Sequence, residues 1–393
     1  MSKILLTLAC ATTAMLSACT MRDPSGGTQA QAASSEKTLP ANRTAPGTPF
    51  LVTAIAQLEE PWAMTFLPDG RLLVTQKRGA LKLLDVAGGN SSIGSISGVP
   101  AVAYGGQGGL GDVVLHPQFA SNGLVYLSYA EAGKGNTRGA AVARGKLTLD
   151  ERGGGALSQI KVIWRQVPKI DDKGHYGHRI AFASDGHLFI SSGERQQFTP
   201  AQDMQSNLGK IVRLNDDGSV PADNPFAAQG GVAAQVWTLG HRNPLGIAFD
   251  GQSRLWNIEM GPRGGDELNL VERGSNYGYP IVSNGDHYDG RVIPDHDTQP
   301  QYNPPEVTWT PVISPAGFVI YSGNLFPDWQ GDGLIAGLSA QALVRVEFDG
   351  TRAREAARYP MGQRIREVEQ GPGGEIFLLE DKGGRLLKLM PAD

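Results

Sequence analysis

The chain runs to 393 residues with 40% hydrophobic and 19% charged side chains, enough to bury a sizeable core, although length alone would admit two or three domains. A formal net charge of -4 without a stripe of Lys and Arg argues against a nucleic-acid partner. The two cysteines, Cys10 and Cys19, both fall in the N-terminal segment, which excludes a disulfide framework and a cysteine metal site from the folded part.

At the N-terminus, Lys3, the apolar run from Ile4 to Leu16 and the small residues before Cys19 read as an export signal, too short for a membrane span. Leu16-Ser17-Ala18-Cys19 resembles the lipobox of bacterial lipoproteins, so residues 1–18 are expected to be removed and Cys19 to carry lipid. An ordinary cleavable signal with an incidental cysteine is the alternative. Residues 19–48 are rich in Ser, Ala, Gln, Gly and Pro with no apolar pattern, as in a flexible tether. The expectation is a periplasmic protein attached to the envelope membrane only through its lipid.

From residue 49 to 393 one domain is expected. Glycine (52) and proline (25) are scattered as turn punctuation and long helical periodicity is absent, which favours many short strands. A strand-turn-strand unit recurs around Asp69-Gly70, Asn122-Gly123, Asp185-Gly186, Asp250-Gly251, Asp332-Gly333 and Gly373-Gly374. Asp-Gly and Asn-Gly suit type I′ hairpins, whose two central residues need positive φ. Six hairpins at irregular, wide spacing predict an all-β fold, a six-bladed β-propeller of four-stranded antiparallel blades, better than a sandwich. Its long connections, 88–106, 168–176 and 281–308, would crowd one end and form a bowl at the channel mouth.

Gly106-Gln107-Gly108-Gly109-Leu110-Gly111 fits the dinucleotide pattern G-x-G-x-x-G, but Val113-Val114-Leu115-His116-Pro117 after it is a short β-branched run stopped by proline. No helix follows to aim at a pyrophosphate, so nicotinamide cofactors are rejected. His175-Tyr176-Gly177-His178-Arg179 precedes a strand, and a histidine at such a junction can act as a general base. Gly240-His241-Arg242-Asn243-Pro244, with the stretch from Glu259 to Asn269, packs cations, an amide, carboxylates and turns together. That composition suits an anionic cofactor beside a hard metal ion, or a solvated ion-pair network. Arg364-Ile365-Arg366 puts two cations on one face of an extended segment.

Taken in order from about Pro49 to Leu389, these motifs resemble the soluble aldose sugar dehydrogenases that use pyrroloquinoline quinone (PQQ), the soluble glucose dehydrogenase-like family. The resemblance implies His175 as the base that takes the sugar hydroxyl proton and Arg242 as the group that steadies the reduced quinone, with Gln107, Asn243, Arg364 and Arg366 also binding PQQ. It implies calcium bridged to the cofactor by the carbonyls of Gly261 and Pro262, and a second, structural calcium at Asp266, Glu267 and the carbonyl of Tyr277. Trp309 is a candidate wall for the sugar ring, with a buried core tryptophan as its alternative. Two departures stand out: Ser339 occupies the place of a family lysine, and His178, where relatives carry a small residue, offers a bulkier rim or a second titrating group.

The expected activity is oxidation of the C1 hydroxyl of an aldose to a lactone, with electrons leaving to an acceptor that the sequence does not name. A calcium-dependent lactonase or esterase and a non-catalytic binding propeller are the other readings. The lactonase needs no cation-lined pocket, and the binding propeller needs no convergence of His175, Gln107 and Arg242.

Overall fold

The computed structural model describes residues 47–87 and 91–392, so the expected signal, Cys19 and nearly all of the tether lie outside the described residues. Antiparallel strands account for almost all the regular structure there; the one α-helix described is the single turn Phe119–Asn122.

Local chemistry sets the hairpins. In the turn from Leu67 to Arg71, the Gly70 N–H donates to the Leu67 carbonyl and the Leu67 N–H to the Arg71 carbonyl (2.9 and 2.7 Å), while the Asp69 carboxylate accepts from the Arg71 N–H (3.1 Å). Only Gly70 has positive φ, at 86°. This is a three-residue loop closed by one left-handed residue, not the two-residue type I′ turn expected, and it needs glycine at one position only. The pattern repeats at 183–187 and 371–375 through Gly186 and Gly374, and at 250–254 the left-handed residue is Ser253 instead of Gly251. Asp332-Gly333 is no turn at all. Gly333 opens the strand Gly333–Gly337, and the connection before it runs through the 3-10 turn Pro327–Trp329.

Four separate four-stranded antiparallel sheets are joined by an eight-stranded one. The latter is two four-stranded meanders, 61–97 and 110–165, whose outermost strands Ser92–Ser97 and Gly155–Arg165 pair in parallel at Ile96 and Ser97. The first strand of each four-stranded run in the ring, Pro61–Phe66, Leu110–Leu115, Gly177–Phe182, Pro244–Phe249, Pro315–Ile320 and Ile365–Gln370, packs against the next, and the last returns to the first. The final sheet is completed by the N-terminal strand Phe50–Gln57, which pairs with Arg385–Pro391 and so ties the two ends of the domain together.

The second strands, such as Leu72–Gln76 and Ile376–Glu380, are buried along their whole length because each faces a neighbouring sheet on both sides. Their aliphatic side chains form the layers between sheets, for example Leu73, Leu83, Val113, Leu127 and Ala141 between the first two meanders. At the closure, Phe50 is fully buried with its ring 5.3 Å from Tyr359 and 6.0 Å from Trp329, both edge-on.

Candidate active site

The starts of the inner strands and the ends of the strands beside them meet at one end of the ring, around a cavity of about 410 Å3. Lys77, Gln107, Arg364 and Arg366 line it, with Trp62, His178 and Met260 as less polar wall. Arg364 and Arg366 project from alternate positions onto one carboxylate. Arg364 Nε donates to Asp381 Oδ2 (2.9 Å), and Arg366 Nε and Nη2 donate to Oδ1 (2.9 and 2.6 Å). Fixed guanidiniums of this kind suit carboxylate ligands.

His175 adjoins the cavity through Gln107, whose Oε1 accepts the His175 backbone N–H (2.7 Å). The loop holds His175 at φ 44°, a left-handed conformation that needs such support. Its Nδ1 bonds the fully buried Glu194, leaving Nε2 as the working nitrogen. Burial holds the His175 pKa below the ordinary histidine value, with the Arg242 charge acting the same way and Glu194 opposing. Burial would raise Glu194, but the hydrogen bond and charge of His175 bring it below the usual carboxylate value. The ring is therefore neutral at neutral pH and able to accept a proton.

Arg242 and Asn243 stand against the same wall. The Arg242 backbone is tied on both sides: its N–H donates to the Glu259 carboxylate at Oε2 (2.6 Å), and its carbonyl accepts from the Glu194 backbone N–H (2.8 Å). Its Nη1 donates to the carbonyls of Met260 (3.0 Å) and Gly261 (2.6 Å), and its Nε is buried without a partner. Asn243 Oδ1 accepts from the Gly177 N–H (3.2 Å), which joins this element to the His175 loop. His175, Gln107, Arg242 and Asn243 thus converge, from three different parts of the chain.

The calcium candidates divide. Asp266 and Glu267 are consecutive in the strand Asp266–Leu270 and face opposite sides. Both Asp266 oxygens accept backbone N–H groups, from Gly261 (2.9 Å) and Ser314 (2.6 Å), so Asp266 clamps the Gly261-Pro262 turn and is not a free ligand. Burial pushes it up to about 6. A side chain at Gly261 would meet the carbonyls of Gly264 and Gly265 at 2.4 and 2.1 Å, so this tight turn accepts only glycine. Glu267 faces a buried polar cluster with Glu259, Asn257 and Asn269. Burial and the Glu259 charge raise its pKa well above the usual value, and both side-chain polar atoms of Asn257 and Oδ1 of Asn269 lack partners. Paired carboxylates beside orphaned oxygens fit a hard cation. The Tyr277 carbonyl, the third expected ligand, accepts from His296 Nε2 (3.1 Å). Among the described residues, no three His, Cys, Asp or Glu side chains gather as a metal cluster, so any calcium here would depend on carbonyl and amide oxygens.

Two expectations need correction. Trp309 lies in the core with Trp256, Leu268 and Ile335, its indole N–H donating to Glu355 (2.6 Å), and offers no face to a sugar. His178 is buried, stacked 4.9 Å from Trp62 and bonded through Nδ1 to Ser128 Oγ (2.7 Å); burial pulls its pKa to about 3, so it is wall and does not titrate near neutrality. Ser339 is exposed on the turn, and Leu338 is its neighbour in the cavity wall. The exposed aromatic over Arg242 is Tyr288, 73% exposed with its ring 5.8 Å from the guanidinium, in a loop that carries no motif. Glu194, Asp381 and Lys77 were also missed, because each is recognisable only by what it touches.

The geometry now meets the known proteins. Residues 58–388 match the glucose/sorbosone dehydrogenase family. The chain belongs to that family. Aldose sugar dehydrogenase YliI of Escherichia coli (strain K12) is 38% identical over 354 residues, spanning 88% of this chain and 94% of its own. The crystal structure of the soluble E. coli aldose sugar dehydrogenase in its apo-form superposes with a TM-score of 0.82 at 38% identity, over 87% of this chain and 99% of that one. The PQQ-bound aldose sugar dehydrogenase of Streptomyces coelicolor gives 0.69 at 28% identity, over 86% and 97%. This family member therefore shares the all-β propeller architecture of those enzymes along nearly its whole described length.

Proposed function

We propose that this glucose/sorbosone dehydrogenase family member is a six-bladed propeller enzyme that oxidises the C1 hydroxyl of aldose sugars to lactones with PQQ. The observation that carries the proposal is the cation-lined cavity beside a neutral, carboxylate-oriented histidine and a buried arginine with an unpartnered Nε. Relatives at 38% and 28% identity support it, one named an aldose sugar dehydrogenase and one described with PQQ bound.

Arg364, Arg366 and Gln107 would hold the cofactor's carboxylates, and Arg242 with Asn243 its quinone edge. Bound PQQ supplies an ortho-quinone that accepts the hydride leaving C1. His175 Nε2 would take the hydroxyl proton as C1 gives up its hydride, so that the closed sugar ring loses two hydrogens and C1 becomes the lactone carbonyl. Glu194 keeps Nδ1 protonated and stabilises the imidazolium that forms. Arg242 offers a fixed positive charge where negative charge develops. Tyr288 would take the place expected of Trp309, its face against the C–H face of the pyranose. Calcium held by Gly261 and Pro262 would polarise the quinone carbonyl, and a structural calcium would sit at Glu267 and Tyr277. The enzyme would work in the periplasm on a Cys19 lipid anchor.

A lactonase would have no use for guanidiniums arrayed as at Arg364 and Arg366. Mixing apoprotein with PQQ and calcium and following sugar-dependent reduction of an artificial dye tests the proposal; dye left oxidised with every aldose tried would refute it.

A further inference from the structure

We infer that Lys77 supplies the remaining cation of the cofactor site, in place of the lysine missing at Ser339. The inference rests on the PQQ reading and adds a residue to it. Lys77 directly follows the strand Leu72–Gln76, as Met260, Leu338 and Asp381 directly follow theirs, and all four line the cavity. Its backbone is held on both sides: the N–H donates to the Glu60 carbonyl and the carbonyl accepts from the Leu110 N–H (both 2.9 Å). The glycine-rich loop presses on its stem. A Cβ at Gly109 would lie 2.2 Å from the Lys77 carbonyl oxygen and 2.6 Å from its Cγ, so glycine there lets the lysine lie flat along the wall.

Nζ then reaches the Gly106 carbonyl (2.6 Å), next to Gln107. An ammonium has three donors, so two remain for a ligand. Its charge has no contact counter-ion: among the described residues Lys77 forms no ion pair, Glu60 and Asp381 act on it only at a distance, and the Glu60 carboxylate is taken by Arg78 (2.8 Å) and the Tyr104 hydroxyl (2.9 Å). Burial accordingly pulls the Lys77 pKa down, as for a cation waiting for its anion. Arg364 and Arg366 share Asp381 and so bring two positive charges against one negative. A tricarboxylate needs more. Lys382 also lines the cavity but is exposed, where solvent and salt screen it. Ser339 can offer only a hydroxyl, and that donates to the Val312 carbonyl (3.2 Å).

The test is equilibrium titration of the apoprotein with PQQ in calcium buffer, followed by quenching of tryptophan fluorescence, with no sugar present. Lys77→Met should weaken binding by about tenfold to a hundredfold, the size of a lost hydrogen bond to a charged group. Lys77→Arg should keep wild-type affinity, and Lys146→Met, which removes an exposed charge from the strand Arg138–Leu149, should leave it unchanged. Wild-type affinity in Lys77→Met, or equal losses in Lys77→Met and Lys77→Arg, would overturn the inference. Wild-type protein that binds no PQQ would overturn the cofactor reading itself, and the inference with it.

Discussion

Two cavities open at opposite ends of the same ring of inner strands, and their charged linings differ in kind. The upper one, about 410 Å3, is lined by Lys77, Arg364 and Arg366; the lower one, about 250 Å3, by Asp112, Glu367 and Glu369 with Arg179 among them. Arg179 separates the two: its guanidinium lies 4.1 Å from the ring of Trp62, a wall of the upper cavity, while Nη1 bonds Glu367 and approaches Asp112 (3.4 Å) below. The lower carboxylates have one cation between them, and burial pushes Glu367 up to about 7 and Glu369 to about 8. Desolvated carboxylates can become neutral by taking protons near physiological pH, whereas guanidiniums cannot lose theirs. A ring built from similar strands therefore presents a permanent positive field at one end and a titrating group at the other. The end with the long loops is the one suited to an anionic cofactor.

Apart from loss of the base His175 itself, the largest effect should come from Arg242→Ala. It removes the cation whose Nε is buried unpartnered, so turnover should fall about 10²- to 10³-fold and PQQ affinity should fall with it. Steady-state rates together with the cofactor titration check this; a fall in only one of the two would separate Arg242 from the quinone. Glu267→Gln should come next. It should abolish most of the rise in melting temperature that calcium gives the wild type, since a ligand stabilises only the state that binds it. Because burial and the Glu259 charge raise the Glu267 pKa and calcium requires the carboxylate, calcium affinity in the wild type should climb as pH rises above the ordinary glutamate value. A flat profile would show that the Glu267 carboxylate is not what holds the calcium.

The smallest effect tests the lower cavity. A carboxyl whose folded pKa is raised binds more protons folded than unfolded, so it adds stability below the unfolded value near 4.5 and loses it as pH rises through its folded value. Glu369→Gln should therefore flatten the decline in stability between about pH 5 and 8 while leaving PQQ affinity unchanged. Denaturant melts at a series of pH values read the first, and the titration reads the second. A changed PQQ affinity would show that the lower carboxylates feel the upper cavity through Arg179, against the separation drawn above.

What was legible in the sequence was what is local. Asp69-Gly70 and Asp185-Gly186 mark hairpins because the aspartate carboxylate and the left-handed glycine act within a few residues of each other. Asp332-Gly333 carries the same letters and makes no turn, since the pairing of Ile320 with Gly333 places it in a strand. The strongest site signals, around His175, Arg242 and Arg364, were readable through the resemblance to a family, not through composition. Trp309 could be read as a sugar wall or as core, because its motif says nothing of the neighbouring sheet that buries it. Lys77 could not be anticipated opposite Ser339, because its carrying strand is Leu72–Gln76 in the first sheet while Ser339 follows Gly333–Gly337, and only the closed ring brings both ends to one cavity.

The central claim is that a neutral His175, held by Glu194 at the edge of a cation-lined cavity, takes the proton from the sugar. Mixing PQQ-loaded His175→Gln with excess aldose in a single turnover tests it most directly, by the rate of the cofactor's absorbance change. The variant should bind PQQ nearly as the wild type does yet reduce it about 10²- to 10⁴-fold more slowly, and in the wild type the acid limb of that rate should lie below the ordinary histidine pKa. A wild-type rate in His175→Gln would contradict the account.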